Sequence, residues 1–151
     1  MPPTPPVRVE NVMHQRFSLV DGLATVADAL ASIQSDCHHA LVIRKRDEND
    51  EYGLVLLSDI AKQVLARNRA PERVNLYEIM SKPVVAVGPR MQIRYCARLF
   101  ERFGLALAPV IDSTGDIIGM VGYEDLVLEG LKGQYKSKFG QETQKPSDRN
   151  R

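Results

Sequence analysis

The side chains with the clearest chemical potential are two aspartates. Asp59 closes the run GLVLLSD, Gly53 to Asp59, and Asp125 closes GMVGYED, Gly119 to Asp125, so a glycine precedes an aspartate by six residues twice in one chain. A carboxylate at the end of an apolar run has two uses. It can accept hydrogen bonds from the unpaired amides of a first helical turn, a cap worth roughly 1 kcal/mol. It can also take two ligand hydroxyls at once, because an ionised acceptor has a lone pair for each. Capping is the simpler role, and the binding role needs further support.

Other reactive types are sparse. Cys37, His38 and His39 are metal-capable and adjacent, but neighbours on an extended strand point to opposite faces, and the remaining candidates His14 and Cys96 are distant in sequence. No metal site is expected, and His39 reads as a strand-edge histidine. Cys37 and Cys96 fall inside structured segments and read as reduced packing thiols. No Ser-His-Asp, Cys-His or paired-carboxylate grouping can be assembled from spacing, and no phosphate-cradling glycine loop with its lysine is present. The expectation is a protein that is not an enzyme.

Bulk properties narrow the partners. The 151 residues are 44% hydrophobic and 26% charged with a net charge of +1, which suits a globular chain and gives no large positive field for nucleic acid. Arg67, Arg69, Arg73, Lys132, Lys136 and Lys138 read as solvated surface. There is no eighteen-residue apolar run and no signal peptide in MPPTPPVRVE, so the expected location is cytoplasmic, with no membrane partner.

The aspartates are positioned by an internal repeat. VENVM, Val9 to Met13, is echoed by LYEIM, Leu76 to Met80, at an offset of 67 residues. The same offset lays Val26, Ala29, Leu30 and Ile33 over Ile93, Cys96, Ala97 and Phe100, each set spaced i, i+3, i+4, i+7. That spacing predicts two amphipathic helices in equivalent positions. Each is followed by a strand (ALVIR, Ala40 to Arg44; LAPVID, Leu107 to Asp112), a turn (Lys45 to Glu51; Asp112 to Asp116) and a return strand (Tyr52 to Leu57; Ile117 to Tyr123). The aspartate then opens a further helix. Residues 1–7 read as a flexible N-terminus, 8–67 as the first repeat, 68–75 as a linker, 76–131 as the second repeat and 132–151 as a flexible or partner-docking tail. A sixty-residue copy buries too little apolar surface alone, so the two are expected to share a core.

From Val9 to Leu131 the pattern resembles the cystathionine-β-synthase (CBS) domain family, on the VM and IM dipeptides, the two stripe helices, APVI at Ala108 to Ile111 and the paired glycine-to-aspartate runs. The resemblance implies an α/β (α+β) fold of two β-α-β-β-α repeats about a pseudo-twofold axis, packed through their sheets as a disc that dimerises. It implies a regulatory ligand-sensing module with no required cofactor, binding an adenine nucleotide (AMP, ADP or ATP) or a related adenosine compound in inter-repeat clefts, and read by a separate effector protein. By resemblance the ribose is gripped by Asp59 or Asp125, the adenine by the backbone of Leu107, Ala108 and Pro109, and the walls are Phe17, Ser18, Val84 and Val85. Tyr123 either stacks in a cleft or is a half-buried strand-end tyrosine. The sequence departs from the family where a serine or threonine normally stands three residues before the aspartate: Leu56 and Gly122 occupy those positions. Leu41 also stands where the second repeat has Pro109, so the site containing Asp125 is favoured. The alternative implied by these losses is a non-catalytic dimerisation or protein-interaction module whose clefts no longer take a nucleotide.

Overall fold

Short strands flanked by capped helices follow one another in the order the repeat predicts. The computed structural model describes residues 5–33, 40–82 and 84–134. They form α1 (Val9–Val12), β1 (Ser18–Val20), α2 (Val26–Ser32), β2 (Ala40–Ile43), β3 (Gly53–Leu56), α3 (Leu57–Ile60), α4 (Ile93–Phe103), β4 (Leu107–Ile111) and β5 (Ile117–Gly122). Wider π-helical turns continue α3 through Ala61–Leu65 and form the last helix, Asp125–Leu131, while Pro71–Arg73 and Leu76–Glu78 are 3₁₀ turns. The mixed α+β class is as expected. Cys37, His38, His39, Lys136 and Lys138 lie outside the described residues, as does most of the expected C-terminal tail.

The chain divides into two compact units, one of residues 15–85 and one of residues 1–14 with 86–151. In the first, β1 runs parallel to β2 and β2 antiparallel to β3, with Ser18 opposite Leu41 and Ala40 opposite Leu56. All four residues of β2 are buried, and Leu41 and Ile43 share a core with Val26 and Ala29 of α2. Leu76, the first residue of the echoed LYEIM, is fully buried here and donates its amide to Ala24 O at 2.9 Å. The expected linker contributes to the same core: Val74 is 1% exposed, and its carbonyl accepts from Val26 N at 2.8 Å.

The second unit is built around the antiparallel pair β4 and β5, with Leu107 opposite Gly122 and Pro109 opposite Met120. Its first strand is reduced to one residue, Val87, bridged in parallel to Val110. On the far side His14 pairs with Met120, donating and accepting at 2.9 and 2.8 Å. Val9 and Val12 of α1 pack with Cys96 and Phe100 of α4 and with Val110 and Val121. The VENVM segment of the first repeat therefore belongs to the core made by the second, and LYEIM to the core made by the first.

Local chemistry explains the helix ends. Thr25 Oγ1 accepts from Asp28 N at 3.0 Å and Asp28 Oδ2 accepts from Thr25 N at 3.2 Å, a reciprocal cap that starts α2. Gly104, at φ +65°, ends α4 in the left-handed conformation glycine tolerates best. The stripes need one correction. Val26, Ala29, Cys96 and Phe100 are buried, but Leu30 is 43% exposed and Ala97 is exposed too. These two are equivalent in the repeat, and both sit at the i+4 position of the stripe.

Candidate functional site

The two aspartates have the same local geometry. In each repeat the return strand runs straight into a helix with no loop, so the last strand residue serves as the N-cap and the aspartate occupies the third helical position. Leu56 N donates to Asp59 Oδ2 at 2.8 Å, and Gly122 N donates to Asp125 Oδ2 at 2.8 Å. This corrects the expected role: each carboxylate turns back to the amide three residues earlier instead of serving the amides ahead of it. Those donors belong to Leu56 and Gly122, the residues standing at the missing-hydroxyl positions. One oxygen of each carboxylate is thereby fixed, and the other, Oδ1, takes no hydrogen bond from the described residues. Asp125 is only 7% exposed, whereas Asp59 is half-buried.

Leu107, Ala108 and Pro109 form the start of the strand beside Asp125. Ala108 and Pro109 are fully buried and Leu107 is half-buried. Val87 N donates to Pro109 O, and Ile111 N to Val87 O, both at 3.0 Å, so this edge of β4 is covered from Pro109 onward. Strand groups two residues apart face the same side, which puts the Leu107 carbonyl on this edge just beyond the reach of Val87. A Cβ built on Gly122 would lie 3.1 Å from Leu107 Cδ1 and 3.8 Å from Asp125 Oδ2. Gly122 thus leaves space between the Leu107 side chain and the Asp125 carboxylate. The Leu107 carbonyl faces the Val87 edge of the ribbon, whereas Gly122, like Met120, presents its backbone groups on the His14 edge, where the carboxylate lies. In the other unit the matching edge of β2 is covered along three residues by β1, from Ser18 opposite Leu41 to Val20 opposite Ile43.

Of the remaining expected residues, Phe17 and Ser18 are half-buried at the start of β1, Ser18 beside Leu41. Val84 is half-buried and Val85 37% exposed in the segment leaving the same unit. Tyr123 is 46% exposed, and its ring meets Phe100 edge-on at 5.4 Å between centroids, over α4. Among the described residues no three His, Cys, Asp or Glu side chains gather as metal ligands would. Cys96 is buried, and desolvation pushes its thiol up to about 11, which keeps it protonated and unreactive.

Sequence reasoning missed His14. Its Nε2 lies 3.4 Å from Asp125 Oδ2, with both side chains largely buried. The available signal was its place directly after the VENVM segment, where the second copy has Ser81. It also missed a group of cations at the other end of the β2–β3 sheet. There the Asp50 carboxylate accepts from Arg46 N at 2.8 Å and Arg46 Nε at 3.2 Å and pairs with Lys82. The Lys82 ammonium is the main reason the Asp50 carboxyl is held well below the usual carboxylate range.

Known proteins share this architecture. A family model described as CBS domain matches residues 76–132. The structure of a hexameric CBS-CP12 protein from bloom-forming cyanobacteria is 33% identical over 82% of this chain and 71% of that one, with a TM-score of 0.77. The CBS domain pair of protein MJ0100, solved in complex with 5′-methylthioadenosine and S-adenosyl-L-methionine, aligns over 85% of this chain and 99% of that one at 23% identity and a TM-score of 0.69. The magnesium and cobalt efflux protein CorC of Vibrio cholerae is 30% identical over 141 residues, 92% of this chain and 47% of the relative. The chain belongs to the CBS-domain family and carries a tandem CBS pair. It spans less than half the length of the first curated relatives it matches.

Proposed function

We propose that this CBS pair is a regulatory, non-catalytic module that takes an adenosine compound beside Asp125 and passes its occupancy to a separate effector. The observation that carries the reading is the Asp125 carboxylate, 7% exposed and fixed through one oxygen by Gly122 N–H at 2.8 Å, while its other oxygen takes no hydrogen bond from the described residues. A ribose offers two hydroxyl donors to such a carboxylate, and an adenine offers an amino group to the Leu107 carbonyl. Gly122 leaves room where a side chain would crowd the carboxylate and the Leu107 side chain. The Asp59 position has the same carboxylate geometry but a covered strand edge and a half-buried carboxylate, so it ranks second. The adenosine compounds bound by the CBS domain pair of MJ0100 support the ligand class. Occupancy regulates only if the ligand binds two conformations of the pair with different affinity.

Calorimetry and thermal shift with AMP, ADP, ATP and S-adenosylmethionine test the proposal. The expected outcome is a ligand-dependent rise in melting temperature. Asp125→Asn should abolish it, because the amide still accepts from Gly122 N but carries no charge for the ribose. Asp59→Asn should weaken it less. If none of these compounds shifts the melting temperature, the site beside Asp125 is not an adenosine site.

A second reading, a binding-silent dimerisation module, rests on a different observation. Val127, Leu128 and Leu131 of the last helix are about half exposed, at 49%, 53% and 49%. Three large apolar side chains on one short helix are what an interface between copies would cover. Absence of ligand together with a concentration-dependent dimer in light scattering would favour this reading.

A further inference from the structure

A large cavity of the unit formed by residues 15–85 is far from its aspartate. It has a volume of about 890 Å³ and opens at the hairpin end of the sheet, beside Ile43, where β2 leaves toward the turn. Asp59 follows the opposite end of β3: Gly53 starts that strand against Ile43, and Leu56, whose amide Asp59 holds, ends it against Ala40. The two places are separated by the length of the strand, about 10 Å at roughly 3.3 Å per residue. This cavity is therefore separate from the Asp59 position.

Its wall is cationic. Arg44, Lys45, Arg46 and Lys82 line it against two carboxylates, Asp21 and Asp50, in a chain whose overall charge is only +1. Both carboxylates already have work within the fold. Asp21 Oδ1 accepts from Leu23 N at 2.9 Å in a tight turn, and Asp50, its side chain 8% exposed, holds Arg46 and Lys82 in place. Each guanidinium has five N–H donors and an ammonium three. Arg44 donates to Leu19 O at 3.3 Å, Arg46 gives its Nε to Asp50, and the Arg46 side chain is 84% exposed. The Lys45 ammonium lies over the Tyr52 ring, 4.9 Å from its centroid. One carboxylate thus orients two cations, and most guanidinium donors of Arg44 and Arg46 take no partner among the described residues. The floor is apolar and close-packed. Gly22 lies there because a Cβ would come within 3.2 Å of Ile43 Cγ2, and Met80 and the half-exposed ring of Tyr77 complete it.

We propose that this cavity binds a small phosphate-bearing polyanion, with Arg44 and Arg46 as the main phosphate contacts and Lys82, steadied by Asp50, as the third. Guanidinium forks match the paired oxygens of a phosphate, and a concave site of this volume suits a small molecule rather than an extended polymer. The net positive wall favours more than one phosphate.

The test is isothermal calorimetry of the full chain with inorganic tripolyphosphate at 50 and 200 mM salt. The wild type should bind with one-site saturation, and affinity should fall as salt rises. The double variant Arg44→Ala/Arg46→Ala should lose at least about tenfold in affinity, the scale of one charge-assisted hydrogen bond. The charge-matched variant Arg94→Ala/Arg98→Ala, on α4 of the other unit, should bind as the wild type does. Absence of saturable binding overturns the proposal. So does an equal loss in the Arg94/Arg98 variant, which would mean attraction by net charge alone. Circular dichroism of each variant must match the wild type. If the Arg44/Arg46 variant is unfolded, Arg46→Gln alone carries the test, and unchanged affinity in it overturns the assignment.

Discussion

Single side chains in this chain do their work through what they hold, and Asp50 shows it most clearly. It lies in a turn that the sequence marks only as charged and surface-bound, yet its carboxylate gathers Arg46 and Lys82. The ammonium of Lys82 holds the Asp50 carboxyl well below the ordinary range. A carboxyl whose folded-state pKa is depressed contributes stability above its unfolded value, near 3.9, and loses that contribution as pH falls toward the folded value. The stability difference between the wild type and Asp50→Asn, measured by urea unfolding, is therefore expected to be constant from about pH 5 to 7 and to shrink as pH drops below about 4. A difference that stays flat through that range would show that the Lys82 pair does not act on the folded state. Asp125 differs in kind. Its partners are a backbone amide and His14, both invisible to a reading by sequence distance, because the His14 pairing depends on the bridge between His14 and Met120 of β5.

At the scale of elements, the strand-to-helix junction decides what each repeat can bind. Leu56 is the N-cap of α3 and lacks a capping side chain, although Asp59 supplies the reciprocal bond from the third position. Leu56→Thr would complete that cap, a gain of about 1 kcal/mol that offsets the apolar burial lost from a half-buried leucine. Its expected stability is close to that of the wild type. It also restores a hydroxyl three residues before the aspartate, where the family resemblance calls for one. Gly122→Thr makes the same chemical change in the other repeat, but its Cβ would meet Leu107 Cδ1 at 3.1 Å and the Ala106 carbonyl oxygen at 3.3 Å. A backbone oxygen cannot swing aside, so this variant should lose about 1–3 kcal/mol by overpacking. Urea unfolding of the two variants checks the order, and equal stabilities would contradict the described junction. The junction was only half legible in sequence. The glycine-to-aspartate spacing located both aspartates and the hairpin strands within a residue or two, because alternation and turn residues are local signals. The direction in which the carboxylates turn was not legible, since it depends on the helix beginning without a loop. The exposure of Leu30 and Ala97 was hidden for a related reason: periodicity shows which side chains share a face, not how much of that face is covered.

The whole molecule is organised by an exchange that a repeat comparison cannot reveal. Matching VENVM to LYEIM divides the sequence into two copies, but packing assigns each of these segments to the unit built by the other copy. Val9 and Val12 bury against α4, and the amides of Val9 and Glu10 donate to Met91 O and Pro89 O at 2.8 and 2.9 Å. Leu76 buries with Val26, Leu41 and Val55, and Tyr77 N donates to Gly22 O at 3.0 Å. Local periodicity reports elements, and only long-range contacts report which copy an element serves. The exchange makes a definite statement about fragments. A cut at the sequence boundary, giving residues 1–75, keeps β1, β2 and β3 but removes Leu76, Ile79 and the Ser81 bridge to Leu54. It also leaves Val9 and Val12 with no core to enter. Fully burying a leucine or isoleucine is worth about 1.5–3 kcal/mol, so losing two of them takes a large part of the marginal stability of a unit this small. Residues 15–85, by contrast, contain every buried side chain of their cluster. The fragment 15–85 should therefore show more protected amides in hydrogen exchange, and a sharper urea transition, than 1–75, although the two are of similar length. Equal behaviour, or a better-ordered 1–75, would mean that the sequence copies, and not the packed units, are the folding units.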